Sequence, residues 1–496
     1  MAPTLVDQDL RLQTVPELRG VAPLEVAERL RHLPGLALME SARPGRRARW
    51  SYLGVDPLAV IDTAPEGDPL APARELLARL GAARTVGGIL PLAASPSAGK
   101  DRLPPFRGGL MGYLGYDLGR RLERMPSIAA ADLPLPDLRL GLYDQVLAWN
   151  HASGEVWLAS QPLDGDRPRM IARRREVLAR AVTAGQTTAS MGTRDRRAGA
   201  LPISGEPPAS FRSNLGRAAF MERVEAVRRH IARGDLYQAN IARRLEAPFG
   251  GDPWPLYRQL RTGDPVGYAA YLDCGSGSAG DDPRAILSAS PEPFLALAPG
   301  GLVTSDPIKG TRPRGRTPET DRALARELLL SEKDRAENTM IVDVLRNDLG
   351  RVCVPGTVRV PRLLRLERTG SVQHLVSTVT GQLAPDRDAF DLFKAAFPGG
   401  SITGAPKIRA MELIETLEPV RRGPYTGAAL WIGADGTLGS SILIRTLVAD
   451  GRRLTLHVGG GMTWRSDPAA EWAETQAKAA GPLAALGSRE VEALED

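Results

Sequence analysis

Cysteine is nearly missing from this chain: Cys274 and Cys353 are the two in 496 residues, and neither stands in a C-x-x-C or other metal-ligand spacing. That excludes a disulfide framework and a thiolate zinc site, and it fits a reducing cytosol. Long apolar runs are missing too, since no segment reaches the roughly 18 consecutive apolar residues of a membrane span. The opening "MAPTLVDQDLRLQ" carries charges early and has no apolar core of signal-peptide length, so a soluble, cytoplasmic protein is expected. A large excess of one charge is absent as well. The 64 basic residues face 58 acidic ones, and the basic ones, almost all arginine, are scattered along the chain. Neither a nucleic-acid nor a membrane partner is expected from that distribution. What is present, 43% hydrophobic and 25% charged residues, is ordinary globular composition in a chain long enough for more than one domain or one large core.

No internal repeat is visible. Short apolar runs in "RARWSYLGVDPLAVI" and "GEVWLAS" predict strands, and "LAPARELLARLGA" predicts a helix. Residues 187–210 are rich in small, charged and turn-forming residues without either period, and read as a linker between an N-terminal region, 1–186, and a second region, 211–485. Beyond it, "SNLGRAAFMERVEAVRRHIARGD" places Phe220, Val224, Val227 and Ile231 on one helical face and ends at a capping Gly234. A second helix starts at Ser331 and runs to Gly350, and a third is capped by Asp467 with Pro468 at its first position. "RAILSAS", "GAALWIG", "SILIRTLVA" and "RLTLHVGG" predict strands. Helices and hairpin-like strand pairs mixed without regular alternation predict an α+β fold rather than a doubly wound sheet.

Acidic residues recur at a duplicated spacing. Asp334 and Glu337 lie three apart on the second helix, and Glu471 and Glu474 three apart on the third, so each pair faces one side of its helix. Brought together, the two faces make an oxygen-only cluster of the kind that suits Mg²⁺, whose shell is completed by water and substrate oxygens. Apart, they are two solvated helix faces. Lys478, one turn beyond Glu474, either forms a plain ion pair with it or holds a substrate carboxylate against the metal.

Two glycine stretches read as anion cradles. "PGGSITGAPKIRAMELIE" runs into a helix whose first turn holds Pro406, which predicts free amides near Thr403 and Gly404. "HVGGGMT" puts Gly459, Gly460 and Gly461 directly after a strand, where backbone approaches a ligand closely. With Arg445, in "LIRT" on a strand, they point to a substrate bearing more than one carboxylate. In "SDPIKGTRPRGRTPETD", Lys309 precedes Arg312, Arg314 and Arg316. A lysine is a nucleophile only when uncharged, and burial or nearby cations push it that way. A surface lysine on a basic turn is the other reading, and the segment taken alone favours it.

Over roughly 213–484 the sequence resembles the chorismate-utilising enzymes, specifically the large component shared in design by the anthranilate and aminodeoxychorismate synthases. The resemblance is carried, in family order, by "GDLYQANIARR", "SASPEPF", "DPIKGTRPRG", "AENTMIVDVLRNDLGRV", "SVQHLVSTVTG", "FPGGSITGAPKIRAMELIE", "PYTGAALWIG", "LIRT", "VGGGM" and "SDPAAEWAETQAKA". Weaker echoes precede it in "LMESAR", "WSYLGVDP" and "GGLMGYLGYDLGR". It implies an anthranilate synthase component I-like fold, with large antiparallel sheets packed with helices in a two-lobed sandwich, and makes 211–485 the chorismate-binding catalytic domain. It also implies that Glu337 and Glu474 bind Mg²⁺, with Asp334 and Glu471 beside them, and that the metal holds the ring carboxylate of chorismate. Arg445, Tyr425, Lys478 and the amides of Gly459, Gly460 and Gly461 are then expected to position the carboxylates, with Thr403 and His374 lining the same pocket. Glu292 matches the acid that protonates the departing C4 hydroxyl.

Two positions choose within the family. Members that add water at C2 resemble one another in placing a lysine base where this chain has Gln238. Lys309 matches the lysine of members that make 4-amino-4-deoxychorismate, on the path to 4-aminobenzoate and folate; there the amine attacks C2 as the C4 hydroxyl leaves, and ammonia then attacks C4 and expels the lysine from C2. Anthranilate-forming members usually carry a small residue in that place, and anthranilate formation for tryptophan is the alternative activity, a non-catalytic regulatory paralogue a further one. The chain departs from the usual pattern at Thr369, Ser441 and Gly267; the last, with "LMES", speaks against a tryptophan pocket of the anthranilate synthase kind, so no strong inhibition by tryptophan is expected. Neither cysteine sits in the G-x-C-x-G elbow of a glutamine amidotransferase. A separate amidotransferase subunit, component II, is therefore the expected partner, with free ammonium as its substitute.

Overall fold

The computed structural model describes residues 11–45, 47–62, 66–86, 103–161, 166–189, 207–276, 283–368 and 372–491. Most of the linker expected at 187–210 lies outside them, as does Thr369; the helix Arg167–Ala189 takes in its first residues and the strand Ser210–Ser213 its last.

Among the described residues, the strands form one sheet of thirteen and one of ten, almost wholly antiparallel. Both sheets draw on both sides of the linker: Ala37–Glu40 pairs with Tyr268–Ser276 in the larger, and Gly109–Leu114 with Ala428–Gly433 in the smaller. Three apolar clusters give the layering. One, with Tyr52, Phe106, Met111, Ile286 and Leu443, lies between the sheets. A second covers the outer face of the larger sheet with Val26, Trp254, Leu260 and Leu483 from helices. The third covers the smaller sheet with Ile341, Leu345, Phe393 and Leu413. Helices on the outside and two sheets within make the α+β sandwich.

The helix ends follow their caps. Arg217–Ala232 buries Phe220, Val224 and Val227, and Gly234, at φ +81°, donates back to Ile231. Glu332–Gly350 starts where the Ser331 hydroxyl accepts the Asp334 amide, and Pro468–Ala485 where Asp467 accepts the Ala470 amide. One expected strand divides. "SILIRTLVA" ends its first half in the smaller sheet, in Leu438–Ile442, and begins its second in the larger, in Thr446–Ala449. Arg445 is therefore not on a strand but at the crossing, at φ +50°, a conformation that is strained for a side chain with a Cβ.

Candidate active site

The chain crosses between the sheets a second time next to Arg445. Pro283–Ser290 belongs to the larger sheet and Pro293–Leu297 to the smaller, and Glu292 is in the step between them. The crossings run side by side: the Ala289 amide donates to the Arg445 carbonyl, and the Ile442 amide to that of Glu292. Two local breaks in sheet pairing thus place an acid and a guanidinium at the seam.

Lys309 is on Ile308–Pro313, an edge strand of the smaller sheet, where a bulge at Gly310 (φ +77°) shifts the register against Val372–Gln382. Its ammonium donates to the Ser401 carbonyl at 3.0 Å. The arginines that follow turn elsewhere. Arg312 pairs with Glu327 and Asp334, and Arg314 with Asp321. The acid–base groups facing Lys309 are carboxyl groups instead, those of Glu292, Glu337 and Glu474. Glu292 is pushed up by burial, against Lys309, the Ser401 side chain, the Ile308 amide and Lys478.

The two acidic helix faces do meet. Glu332–Gly350 packs on the smaller sheet and Pro468–Ala485 on the larger, and each brings its carboxylates to the seam. Glu337 is raised by burial, with Asp334 and Glu474 adding to the effect and Lys309 and Lys333 opposing it. Burial pushes Glu474 up too, but Lys478, 2.7 Å away, with Lys333 and Lys309, outweighs it and the group is lowered. Glu471 is buried and accepts from Ser466 and Lys333, while Asp334 faces Arg312. Among the described residues no three acidic, histidine or cysteine side chains form a ready cation cage. Mg²⁺ asks for less, one or two protein carboxylates, and Glu337 presents a buried Oε1 with no hydrogen-bond partner. Glu337 and Glu474 thus fit that ion.

Gly459, Gly460 and Gly461 are within the strand Arg453–Met462 rather than after it, paired with Gln238–Pro248. On its other side the ladder to Thr446–Ala449 stops at Leu456, so the glycines run along a stretch that this neighbour leaves open, on the side of Arg445. A Cβ on Gly460 would stand 3.4 Å from Glu471, 3.5 Å from Glu474 and 3.7 Å from Lys478, so this glycine faces the acidic cluster. Lys478 donates to the Gly459 carbonyl at 2.8 Å as well as pairing with Glu474. Arg445 pairs with Asp264 at 3.0 Å, and its charge reaches His374. That histidine shares a 2.9 Å hydrogen bond with the Thr311 hydroxyl and is lowered to about 4 by burial and by Arg445, so it is neutral at ordinary pH.

Thr403 and Gly404 do not form an amide cradle. Thr403 is fully buried with its hydroxyl on the Gly399 carbonyl, and Gly404 pairs with the Gln238–Pro248 strand, where a Cβ would meet the Gln238 carbonyl at 2.1 Å. Pro406 precedes the helix Lys407–Leu417 as its cap. Tyr425 is buried, stacked on His457 at 5.0 Å between ring centres and beside Arg422, with its hydroxyl pushed up to about 12 by burial. Ser401 and Asn240, which the sequence reading passed over, are at the centre of the site. The signal was present in "YQANI", where Gln238 and Asn240 are two apart on a strand and share a face. A separate cavity of about 430 Å³ lies between the sheets, lined by Met39, Glu40, Ser41, Gly267, Pro293 and Ser441.

The family model for chorismate binding enzymes matches residues 37–484. Anthranilate synthase component 1 of Streptomyces coelicolor is 41% identical over 460 residues, 90% of this chain and 83% of that protein. Aminodeoxychorismate synthase component 1 of Klebsiella aerogenes is 42% identical over 371 residues, 75% of each. Among solved structures, anthranilate synthase component I from Streptococcus pneumoniae matches with a TM-score of 0.70 at 28% identity, covering 88% of this chain and 93% of that one.

Proposed function

The chain belongs to the chorismate binding enzyme family, and from that premise we propose that it converts chorismate and ammonia to 4-amino-4-deoxychorismate, the reaction of an aminodeoxychorismate synthase component 1. The observation that carries this reading is the place of Lys309. It is not a surface lysine on a basic turn: its nitrogen is held at the Ser401 carbonyl among the carboxyl groups of Glu292, Glu337 and Glu474.

In this reading the uncharged Lys309 amine attacks C2, the two conjugated ring double bonds shift, the C4 hydroxyl leaves as water with a proton from Glu292, and the alkylated lysine nitrogen gives a proton back to the Glu292 carboxylate. The raised affinity of Glu292 for its proton suits that role. Ammonia then attacks C4, both double bonds shift back, and the C2–N bond to Lys309 breaks as the lysine nitrogen takes a proton from Glu292, which the new C4 ammonium replaces. The net change is hydroxyl for amine, and the enolpyruvyl group is kept. Glu337 and Glu474 would hold Mg²⁺, with Asp334 and Glu471 beside them; the bound ion would supply positive charge for the ring carboxylate. Arg445, Lys478 and the glycine strand position the carboxylates, with Tyr425, His374 and Thr403 shaping the wall. Gln238 offers no base to activate water at C2. The nitrogen comes from a glutamine-hydrolysing partner subunit, in keeping with the "component 1" of both relatives' titles and with two buried cysteines outside any amidotransferase elbow.

A second reading, anthranilate formation, draws on the 41% identity to the Streptomyces coelicolor enzyme over 90% of the chain. The test is mass analysis of the product formed from chorismate, Mg²⁺ and ammonium chloride. A product that keeps the enolpyruvyl group with amine in place of hydroxyl supports the proposal. Anthranilate with released pyruvate overturns it in favour of the second reading.

A further inference from the structure

A chain of hydrogen bonds leads to Lys309 from two residues that do not hydrogen-bond to it directly. The Ser401 carbonyl, which receives the lysine at 3.0 Å, also receives the Asn240 side-chain amide at 3.0 Å. A carbonyl only accepts, so Asn240 has one orientation there, with Nδ2 towards Ser401 and Oδ1 turned away. That oxygen accepts from Gln238 Nε2 at 3.1 Å, which fixes Gln238 in turn and leaves its Oε1 buried without a donor. Gly461 makes room for the pair, since a Cβ there would stand 2.3 Å from Gln238 Nε2 and 2.9 Å from Asn240 Oδ1. The Asn240 backbone is clamped on both sides: its amide donates to Thr403, and its carbonyl accepts from Arg422.

We infer that Asn240 is a positioning residue for Lys309, acting through the shared Ser401 carbonyl, and that Gln238 serves the lysine only by holding the Asn240 amide in its one productive orientation. This rests on the reading of Lys309 as nucleophile. A lysine side chain is long and freely rotating, and an attacking amine must hold its lone pair on the line to C2. A carbonyl pinned from the far side by a rigid amide gives one N–H a fixed acceptor and so sets that line. The Gln238 amide also fills space beside Gly461 with a group that cannot take a proton from water.

The test measures covalent adduct formation on Lys309 in single turnovers with chorismate and Mg²⁺ and no ammonia, together with equilibrium chorismate binding. Asn240→Ala is expected to slow adduct formation at least ~10-fold with chorismate affinity within about twofold of wild type. Gln238→Glu, nearly isosteric, presents only acceptors to Asn240 Oδ1, turns that amide over and slows the adduct similarly. In Asn240→Ala the Gln238→Glu change then has no further effect. A purely structural role makes the two changes additive and lowers chorismate binding, and that result overturns the inference. So does a wild-type adduct rate in both single variants. If the wild-type chain itself forms no adduct, the nucleophile reading fails, and the inference falls with it.

Discussion

Beneath the site lies a buried ion pair whose removal tests how the Ser401 region is held. Arg422 is 2% exposed and meets Glu418, 5% exposed, through two hydrogen bonds of 2.9 and 2.6 Å. Its remaining donors serve the carbonyls of Ile402 and Asn240 at 3.0 and 2.9 Å and the Thr426 hydroxyl at 3.3 Å, and its guanidinium lies 4.7 Å from the Tyr116 ring. Glu418 also accepts the Ala242 amide. Arg422→Met strands a carboxylate in the interior and frees two carbonyls, a loss of about 3–5 kcal/mol, and Glu418→Leu strands the guanidinium at a similar cost. Independent effects would sum to roughly 6–10 kcal/mol in the double variant. Most of each loss comes from the charge left behind, and the double variant leaves none, so it should be no worse than either single change and the coupling at least ~3 kcal/mol. Urea unfolding of the four proteins followed by tryptophan fluorescence gives the cycle. Additive losses would show that the pair does not act as a unit and refute the reasoning.

Other expectations follow from the same geometry. Lys309→Ala should lower 4-amino-4-deoxychorismate formation by about 10³-fold or more while the fold persists, with any residual product shifting to anthranilate where ammonia reaches C2; product analysis shows either. His374 holds its proton near 4 in the folded protein and near 6.5 when unfolded, so its contribution is complete above pH 6.5 and is lost as pH falls towards 4, by about 3 kcal/mol. His374→Gln should flatten stability against pH in that window, and an unchanged slope would exclude it as the cause. Gly460→Ala adds a methyl 3.5 Å from Glu474 at ordinary contact distance, so thermal stability should hold while the Mg²⁺ needed for half-maximal rate rises at least ~10-fold.

What was legible in the sequence was local. Ser331 and Asp467 announce their helices because a cap is settled within four residues, and the duplicated acidic spacing survives because a helix fixes which side chains share a face. What was not legible depended on chain far away. Nothing in "SILIRTLVA" distinguishes one strand from two halves in different sheets, and the crossing at Arg445 is set by the neighbouring crossing at Glu292. Gly404 and Gly461 look like ligand cradles in isolation, yet each is small because the Gln238–Pro248 strand lies against it. Arg312 and Arg314 stand close to Lys309 in sequence, but the two following helices offer them Asp321, Glu327 and Asp334. Ser401 contributes a backbone carbonyl, a group whose role no residue type advertises.

The most direct test of Lys309 as the covalent nucleophile is peptide mass mapping of the protein incubated with chorismate and Mg²⁺ in the absence of ammonia. The peptide containing Lys309 should gain the mass of chorismate less water, and added ammonium chloride should discharge it as 4-amino-4-deoxychorismate. An unmodified peptide, with anthranilate and pyruvate appearing once ammonium is added, would contradict the lysine route and make this an anthranilate-forming enzyme.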